Sequence, residues 1–196
     1  MKKLLLLTFL LLSLNGFCQD AEKKPILVFN NRPLIGLVDN YVKWLEEKYD
    51  YSIISIGKDD TGADRIVMSG KWEGYNSLIK LNCVPTSRYL YQIVVDIEDK
   101  FTDFESAKVL FDKVDSLLEK KFCKHQREIR PKTADAYKEI TSQFKPSYVN
   151  IYDLANGAII LSIAPGINVY RIDNVYISII FEDDEAYEVG AQYMKK

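Results

Sequence analysis

The chain contains one histidine, His125, and it follows a cysteine in Cys123-Lys124-His125. A Cys-x-His pair can offer two ligands to a metal. Structural zinc takes four, usually from paired clusters, and no second cluster stands elsewhere in the sequence. Residues two apart on a helix do not face each other, so the pair makes no catalytic dyad. The sequence therefore predicts His125 as a solvent-exposed side chain in a charged segment. With one histidine and no Gly-x-Ser-x-Gly, a Ser-His-Asp hydrolase is excluded.

The acids are the next candidates. Asp59, Asp60 and Asp64 crowd the turn Gly57 to Asp64. Hard oxygen donors suit calcium, which makes these three a calcium candidate. Aligning Gly62 with the glycine of an EF-hand puts Gly57 at the first ligand position and Met68 at the twelfth, so the loop is not an EF-hand. The competing reading is a solvated hairpin turn. Glu182 to Glu185 reads as the start of a helix, where acids favour the dipole. Two distant carboxylates acting on glycans would leave no spacing signal, and a carboxylate-dependent envelope hydrolase stays open as the alternative function. The nine glycines are scattered. They form neither a phosphate loop nor a dinucleotide fingerprint, so no cofactor is expected.

The aromatics offer binding in place of catalysis. The chain has thirteen Tyr and two Trp, residue types enriched at protein-binding hot spots. Gly70-Lys71-Trp72-Glu73-Gly74-Tyr75 reads as a glycine-flanked loop, and Trp72, Glu73 and Tyr75 are its candidate binding residues. The alternative is that both rings fold back and plug the sheet edge. The basic residues Lys120, Lys121, Lys124, Arg127, Arg130 and Lys132 are interrupted by Glu128 and carry no interleaved aromatics. They read as a solvated helix end and connector, with anionic lipid contact as the lesser alternative.

The elements that must position these residues follow from periodicity. Tyr89, Tyr91, Ile93, Val95 and Ile97 alternate with polar positions, as do Ile79, Leu81 and Cys83 before them. Period-2 alternation marks half-buried strands, and Pro85 to Arg88 turns one strand into the other. Thr102-Asp103-Phe104-Glu105 fits a capping box. Phe104, Ala107, Phe111, Val114 and Leu118 then recur at helical spacing. Earlier come an edge strand Pro25 to Phe29, a turn at Asn30 to Pro33, a helix from Leu37 to Lys48, a strand Tyr51 to Ile56 and a strand Arg65 to Ser69. Later come a charged connector Lys124 to Lys132 and a helix Ala134 to Phe144 with Thr133 as its cap. Strands Tyr148 to Leu154 and Ala158 to Ala164 flank the turn Ala155-Asn156-Gly157, a hairpin signal because Asn-Gly tolerates positive φ. A loop Pro165 to Asn174, a strand Val175 to Phe181 and a terminal helix Ala186 to Met194 complete the chain. The expected fold is an α+β two-layer sandwich, an antiparallel meander sheet covered on one face by helices. It forms one domain over 19–196, and its halves 25–100 and 101–196 could be a diverged tandem of helix-plus-meander units.

Met1-Lys2-Lys3 followed by the apolar run Leu4 to Leu14 has the form of a signal peptide. It is shorter than the roughly 20 residues of a membrane span. Gly16 and Cys18 are small residues at the −3 and −1 positions of a cleavage site after Cys18. Lipidation of Cys18 is the alternative, and Phe17 speaks against it because that site favours a small residue there. Cleavage removes Lys2 and Lys3 and no acid, leaving 24 basic against 28 acidic residues, a net charge of −4. That balance argues against a nucleic-acid partner. No second hydrophobic run follows, so no transmembrane segment is expected after cleavage. Cys83 and Cys123 could form one disulfide in an exported protein; two unpaired thiols are the competing reading.

Several features together resemble a family of uncharacterised secreted proteins of Bacteroidetes. They are the Lys-rich leader ending before Gln19, Pro33-Leu34-Ile35-Gly36 opening a helix with Tyr41 and Leu45, Gly70-Lys71-Trp72-Glu73-Gly74-Tyr75, Thr86 in the hairpin turn, Lys121-Phe122 closing the long helix, Asn156-Gly157, and the strand Ile177 to Asp183. The chain departs from that pattern at Leu37, where such proteins place a Ser or Thr cap. The resemblance implies an α+β layout similar to β-lactamase-inhibitor-protein-like and outer-membrane-assembly-lipoprotein-like modules, which bind other proteins. It implies no catalytic residue. The sequence thus leads to a secreted or periplasmic, non-catalytic binding module whose partner is another envelope or secreted protein.

Overall fold

The computed structural model describes residues 24–59, 62–143, 145–168, 171–186 and 188. The leader, Cys18, Asp60 and most of the expected terminal helix lie outside the described residues. Two short strands, β1 (Val28–Phe29) and β2 (Arg32–Pro33), pair around Asn30 and Asn31. Then follow helix α1 (Val38–Tyr49) and strands β3 (Ser52–Lys58), β4 (Asp64–Trp72), β5 (Tyr75–Cys83) and β6 (Leu90–Ile97). Helix α2 (Phe104–Lys121), β7 (Arg127–Ile129), helix α3 (Ala136–Gln143), β8 (Tyr148–Leu154), β9 (Gly157–Asn168) and β10 (Arg171–Asp183) complete the order. Strands β3 to β10 form one eight-stranded sheet in the order β3-β4-β5-β6-β10-β9-β8-β7, antiparallel throughout. The fold is the expected α+β sandwich. Each half of the chain supplies a meander, and the two meet where β6 pairs with β10.

Register assigns the two faces. Met68 lies opposite Ile79, Ile79 opposite Val95, Val95 opposite Ile179, and Ile179 opposite Leu161. All five are buried. They meet Val38, Tyr41 and Leu45 of α1, Ala107, Phe111, Val114 and Leu118 of α2, and Ile140 of α3 in one core cluster. The opposite face is wet, and one row of it is a polar ladder across four strands. Arg65 Nε donates to Asn82 Oδ1 at 2.8 Å, Asn82 Nδ2 to Gln92 Oε1 at 2.6 Å, and Gln92 Nε2 to Glu182 Oε2 at 2.7 Å. A slip of one residue in any strand would exchange these faces, so the pattern fixes the register.

Several boundaries differ from the sequence reading, each for a physical reason. Pro165 to Asn174 is not a loop, because β9 and β10 run on through it. Pro165 sits opposite Val175, whose N–H and C=O both bond to Phe101, on the side away from Pro165. At that pair the missing proline N–H is not needed by β10. The expected strand Pro25 to Phe29 is only β1, outside the main sheet. The connector Lys124 to Lys132 contains the short edge strand β7. The expected turn Ala155-Asn156-Gly157 closes on Ala155 and Asn156, with Gly157 already in β9 opposite Leu154. Asn156 instead bonds outward, accepting from Leu27 N at 2.7 Å and donating to Asp183 Oδ2 at 2.6 Å. Asp183 in turn accepts from Ala186 N at 2.9 Å, starting a helical turn there.

Caps also shift. Asp103, not Thr102, caps α2 by accepting from Ser106 N at 2.7 Å. Asp135, not Thr133, stands at the head of α3 and accepts from Lys138 N at 3.1 Å. Glu139 reaches back from α3 to accept from Lys132 N at 3.0 Å and Thr133 N at 2.9 Å. Those amides hold its carboxyl below the usual glutamate value.

Two predictions arise from these contacts. Gly70 lies under the Tyr51 ring, whose hydroxyl donates to Lys71 O at 2.8 Å, and a Cβ there would meet Tyr51 Cδ1 at 2.1 Å. Gly70→Ala should therefore destabilise by roughly 1–3 kcal/mol, read from the urea midpoint; an unchanged midpoint would refute the packing. For Glu139, a lowered carboxyl value stabilises the fold above the ordinary range and is lost as pH falls through the lowered value. Glu139→Gln should lower Tm at pH 7, and its difference from wild type should shrink on acidification below about pH 4.5, the ordinary glutamate value. A difference that grows with acid would reverse the sign.

Candidate functional site

The expected aromatic loop is a tight hairpin. Trp72 pairs with Tyr75, and Glu73 and Gly74 between them have φ of 51° and 88°. Positive φ at both central residues is the pattern of a type I′ turn, which matches the twist of two antiparallel strands. The alternation of β4 continues to Trp72 and turns its ring inward, where it is 3% exposed and lies edge-on to Phe181 at 6.4 Å. Trp72 is a core residue, as the alternative of a ring folded back onto the sheet has it, and not an exposed binding residue. It forms part of a cleft of about 90 Å³ lined also by Val28, Asn30, Asn31, Lys121 and Phe122. Glu73 is exposed and forms an ion pair with Lys121, tying the turn to the end of α2. Tyr75 is half-buried and lines an open cleft beside Asp112, Ser116 and Lys120 of α2.

Of the calcium candidates Asp59 has another commitment, and Asp60 lies outside the described residues. Asp59 accepts from Ala63 N at 3.0 Å and from Arg65 Nη2 at 3.3 Å, which closes the β3–β4 turn. Asp64 begins β4, opposite Lys58. Cys83 and Cys123 are free thiols, so the possible disulfide is absent. Cys83 lies on β5 and Cys123 beside β8, separated by on the order of 15–20 Å of sheet, against the roughly 7 Å limit between bridged Cα atoms. Burial pushes the Cys83 thiol up to about 11.

The structure builds a site around His125 that sequence reading missed. Asp115 and Glu119 stand four apart on α2 and so share one face. Past the helix the chain turns back, fixed by Gln126 N donating to Ile151 O at 2.9 Å and by Asp153 N donating to Gln126 Oε1 at 2.6 Å. This places the His125 imidazole against β8, edge-on to Tyr152 at 5.9 Å and with its side chain 12% exposed. The expected solvent-exposed histidine is thus half-buried. Its Nδ1 lies 3.6 Å from Asp115 Oδ1 and 3.5 Å from Glu119 Oε1, and its Nε2 lies 2.6 Å from Glu128 Oε1. Among the described residues this is the one group of three His, Cys, Asp or Glu side chains whose ligand atoms converge, all within 4.8 Å of one another. The i, i+4 pair of acids was the available signal. That His125 folds back onto them was not.

The neighbours orient the group. Arg130 stacks on the Tyr148 ring at 4.2 Å, donates to Val149 O at 2.7 Å and donates from Nη2 to Asn150 Oδ1 at 2.6 Å. The Asn150 amide therefore turns its Nδ2 inward, donating to Asp115 Oδ1 at 2.6 Å and lying 3.4 Å from His125 Nδ1. The Tyr152 hydroxyl also donates to Asp115. Burial first, and then Asp115, push the Tyr152 hydroxyl well above the ordinary tyrosine range. The hydrogen bond from His125, and then Arg130, hold Glu128 below the usual carboxylate range.

The second feature is the open edge. All seven residues of β3 are exposed. Ile53, Ile54 and Ile56 are 42%, 56% and 67% exposed. Ile53 lies opposite Met68 and Ile56 opposite Ile66, so both continue the dry face past the edge of the helix layer; Ile54 occupies a bulge. At the far edge β7 has three residues, two of them the charged Arg127 and Glu128. Short length and charge are usual protections of a sheet edge; β3 is longer and more apolar, its edge interrupted only by the bulge at Ile54 and by Lys58 at its end.

A carboxylate hydrolase needs an acid held above its ordinary range. Among the described residues the carboxyls with a resolved shift are Asp39, Asp103, Glu128 and Glu139, and all four are lowered by hydrogen bonds they accept. No helix among the described residues is long and apolar enough to cross a membrane.

If Trp72 is core, Trp72→Ala should cost about 3–5 kcal/mol in urea unfolding, while Glu73→Ala should cost under about 1 kcal/mol. Equal, small losses would return Trp72 to the surface.

In comparison with known proteins, no family model, no curated protein and no solved structure matches this chain.

Proposed function

We propose that this protein is an exported, non-catalytic binding module of the cell envelope, whose partner is another exported protein that adds a strand to β3. The observation that carries the reading is the contrast between the two sheet edges. β3 presents a row of backbone donors and acceptors, with three exposed isoleucines on seven residues. Strand addition uses such an edge: main-chain bonds supply affinity and alternate side chains supply selectivity. The leader read in residues 1–18 and the resemblance to secreted Bacteroidetes proteins support the compartment.

The occupant is an extended, β-branched segment whose apolar side chains would continue the dry face over Ile53 and Ile56. Crosslinked capture from the native envelope should compare the protein with an Ile54→Lys/Ile56→Lys variant of matched circular dichroism and Tm. The expected result is a partner held by the first and lost by the second, with β3 amides protected from hydrogen exchange in the complex. Capture without β3 protection would refute the edge as the site. A concentration-dependent dimer that protects β3 in the pure protein would make the partner a second copy.

A further inference from the structure

We infer that Asp115, Glu119 and His125 form a binding site for a borderline divalent transition-metal ion of the Zn²⁺ class. The site is separate from β3 and independent of the binding reading. Three features beyond simple proximity point to it.

The first is spacing. Two ligands about 2.1 Å from a tetrahedral ion stand about 3.4 Å apart. The His125 Nδ1 distances to the two carboxylates, 3.5 and 3.6 Å, nearly match that edge. The second is the imidazole tautomer, which two neighbours on opposite sides of the ring agree on. Glu128 accepts at Nε2 and so holds the proton there, while the Asn150 amide directs an N–H toward Nδ1. The Nδ1 lone pair then meets only the long Asn150 contact of 3.4 Å, which an ion held between Nδ1, Asp115 and Glu119 would displace. A carboxylate behind a histidine that presents its other nitrogen is the usual outer support of a metal-bound imidazole. The third is charge. Asp115, Glu119 and Glu128 surround one histidine, with the cations Arg130 and Lys124 acting on Glu128, and the group sits at the C-terminal end of α2, where the helix dipole favours a cation.

The donor set selects the class of ion. Calcium takes six to eight oxygens and magnesium a near-ideal octahedron of them, whereas an imidazole nitrogen with two carboxylates suits zinc and its neighbours. Three protein donors leave a fourth position, which water can fill. Bound there, the ion would clamp the end of α2 to the segment carrying His125.

The test is titration of the purified, metal-free protein with Zn²⁺ alone by calorimetry, and with Co²⁺ followed by its visible absorption. One ion per chain is expected, with a rise in Tm. His125→Gln and Glu119→Gln should each weaken Zn²⁺ by tenfold or more, Glu128→Gln by roughly tenfold, and Asp59→Asn not at all. Glu119 is the most exposed of the three donors, at 36% of its side chain, so Glu119→Gln tests the site without risk to the fold. Melting of each variant without metal confirms that it is folded. The absence of saturable stoichiometric binding would overturn the proposal, as would His125→Gln and Glu119→Gln variants that bind as tightly as wild type.

Discussion

The sheet has one dry face, and covering that face is the constraint on which the other features depend. Eight strands are too many for the helix layer. α2 and α3 lie over β9 and β10, and α1 joins the same core from the other half. Buried side chains then extend from β4 to β8, and the outermost strand of the first half is left over. Its isoleucines continue a face that no helix among the described residues covers there. The exposed edge is thus a geometric remainder of the fold, and in the function proposed above it is also where a partner would add a strand.

The same layer positions the histidine cluster. α2 buries Val114 and Leu118, and this forces Asp115 and Glu119 to the flank of the helix that looks along the sheet toward β8. On β8, Asn150 and Tyr152 share the dry face with Tyr148 and Leu154. Two polar groups on an apolar face need partners, and Asp115 accepts from both. The cluster therefore satisfies the core at its rim, with His125 closing it from outside. Its orientation derives from Arg130 through Asn150, a series in which each group has one sensible direction.

Much of the architecture was legible in the sequence because alternation is a local signal. Ile79 to Cys83, Ile93 to Ile97 and the α2 stripe are where their spacing put them, but a bulge beside Cys83 brings Leu90 into the main core and sends Tyr89 and Tyr91 to a second cluster with Ala63 and Val84. The reading erred where local chemistry competes with long-range pairing. Pro165 suggested a loop, yet it lies at a strand pair that asks nothing of its nitrogen. Gly70 and Gly74 suggested a flexible loop, but one lies beneath Tyr51 and the other completes a two-residue turn, so Trp72 follows the strand into the core. The site was less legible. Asp115 and Glu119 share a helix face by spacing alone, but Asn150 and His125 reach them through a chain reversal between α2 and β8. No local pattern encodes that approach.

The seam between β6 and β10 has a consequence for how the molecule reaches its folded state. Ser178 donates to Asp96 across it, 82 residues apart in the chain, while each meander pairs neighbours through short turns. Local hairpins close quickly, and contacts across such a separation form late. A chain emerging from its N-terminus completes the first meander before β10 exists. Until then β6 is itself an open edge, with Ile93, Val95 and Ile97 on its dry side. For that interval the first half has two unpaired edges in place of one, so the hazard of association with other chains is greatest before the second meander docks.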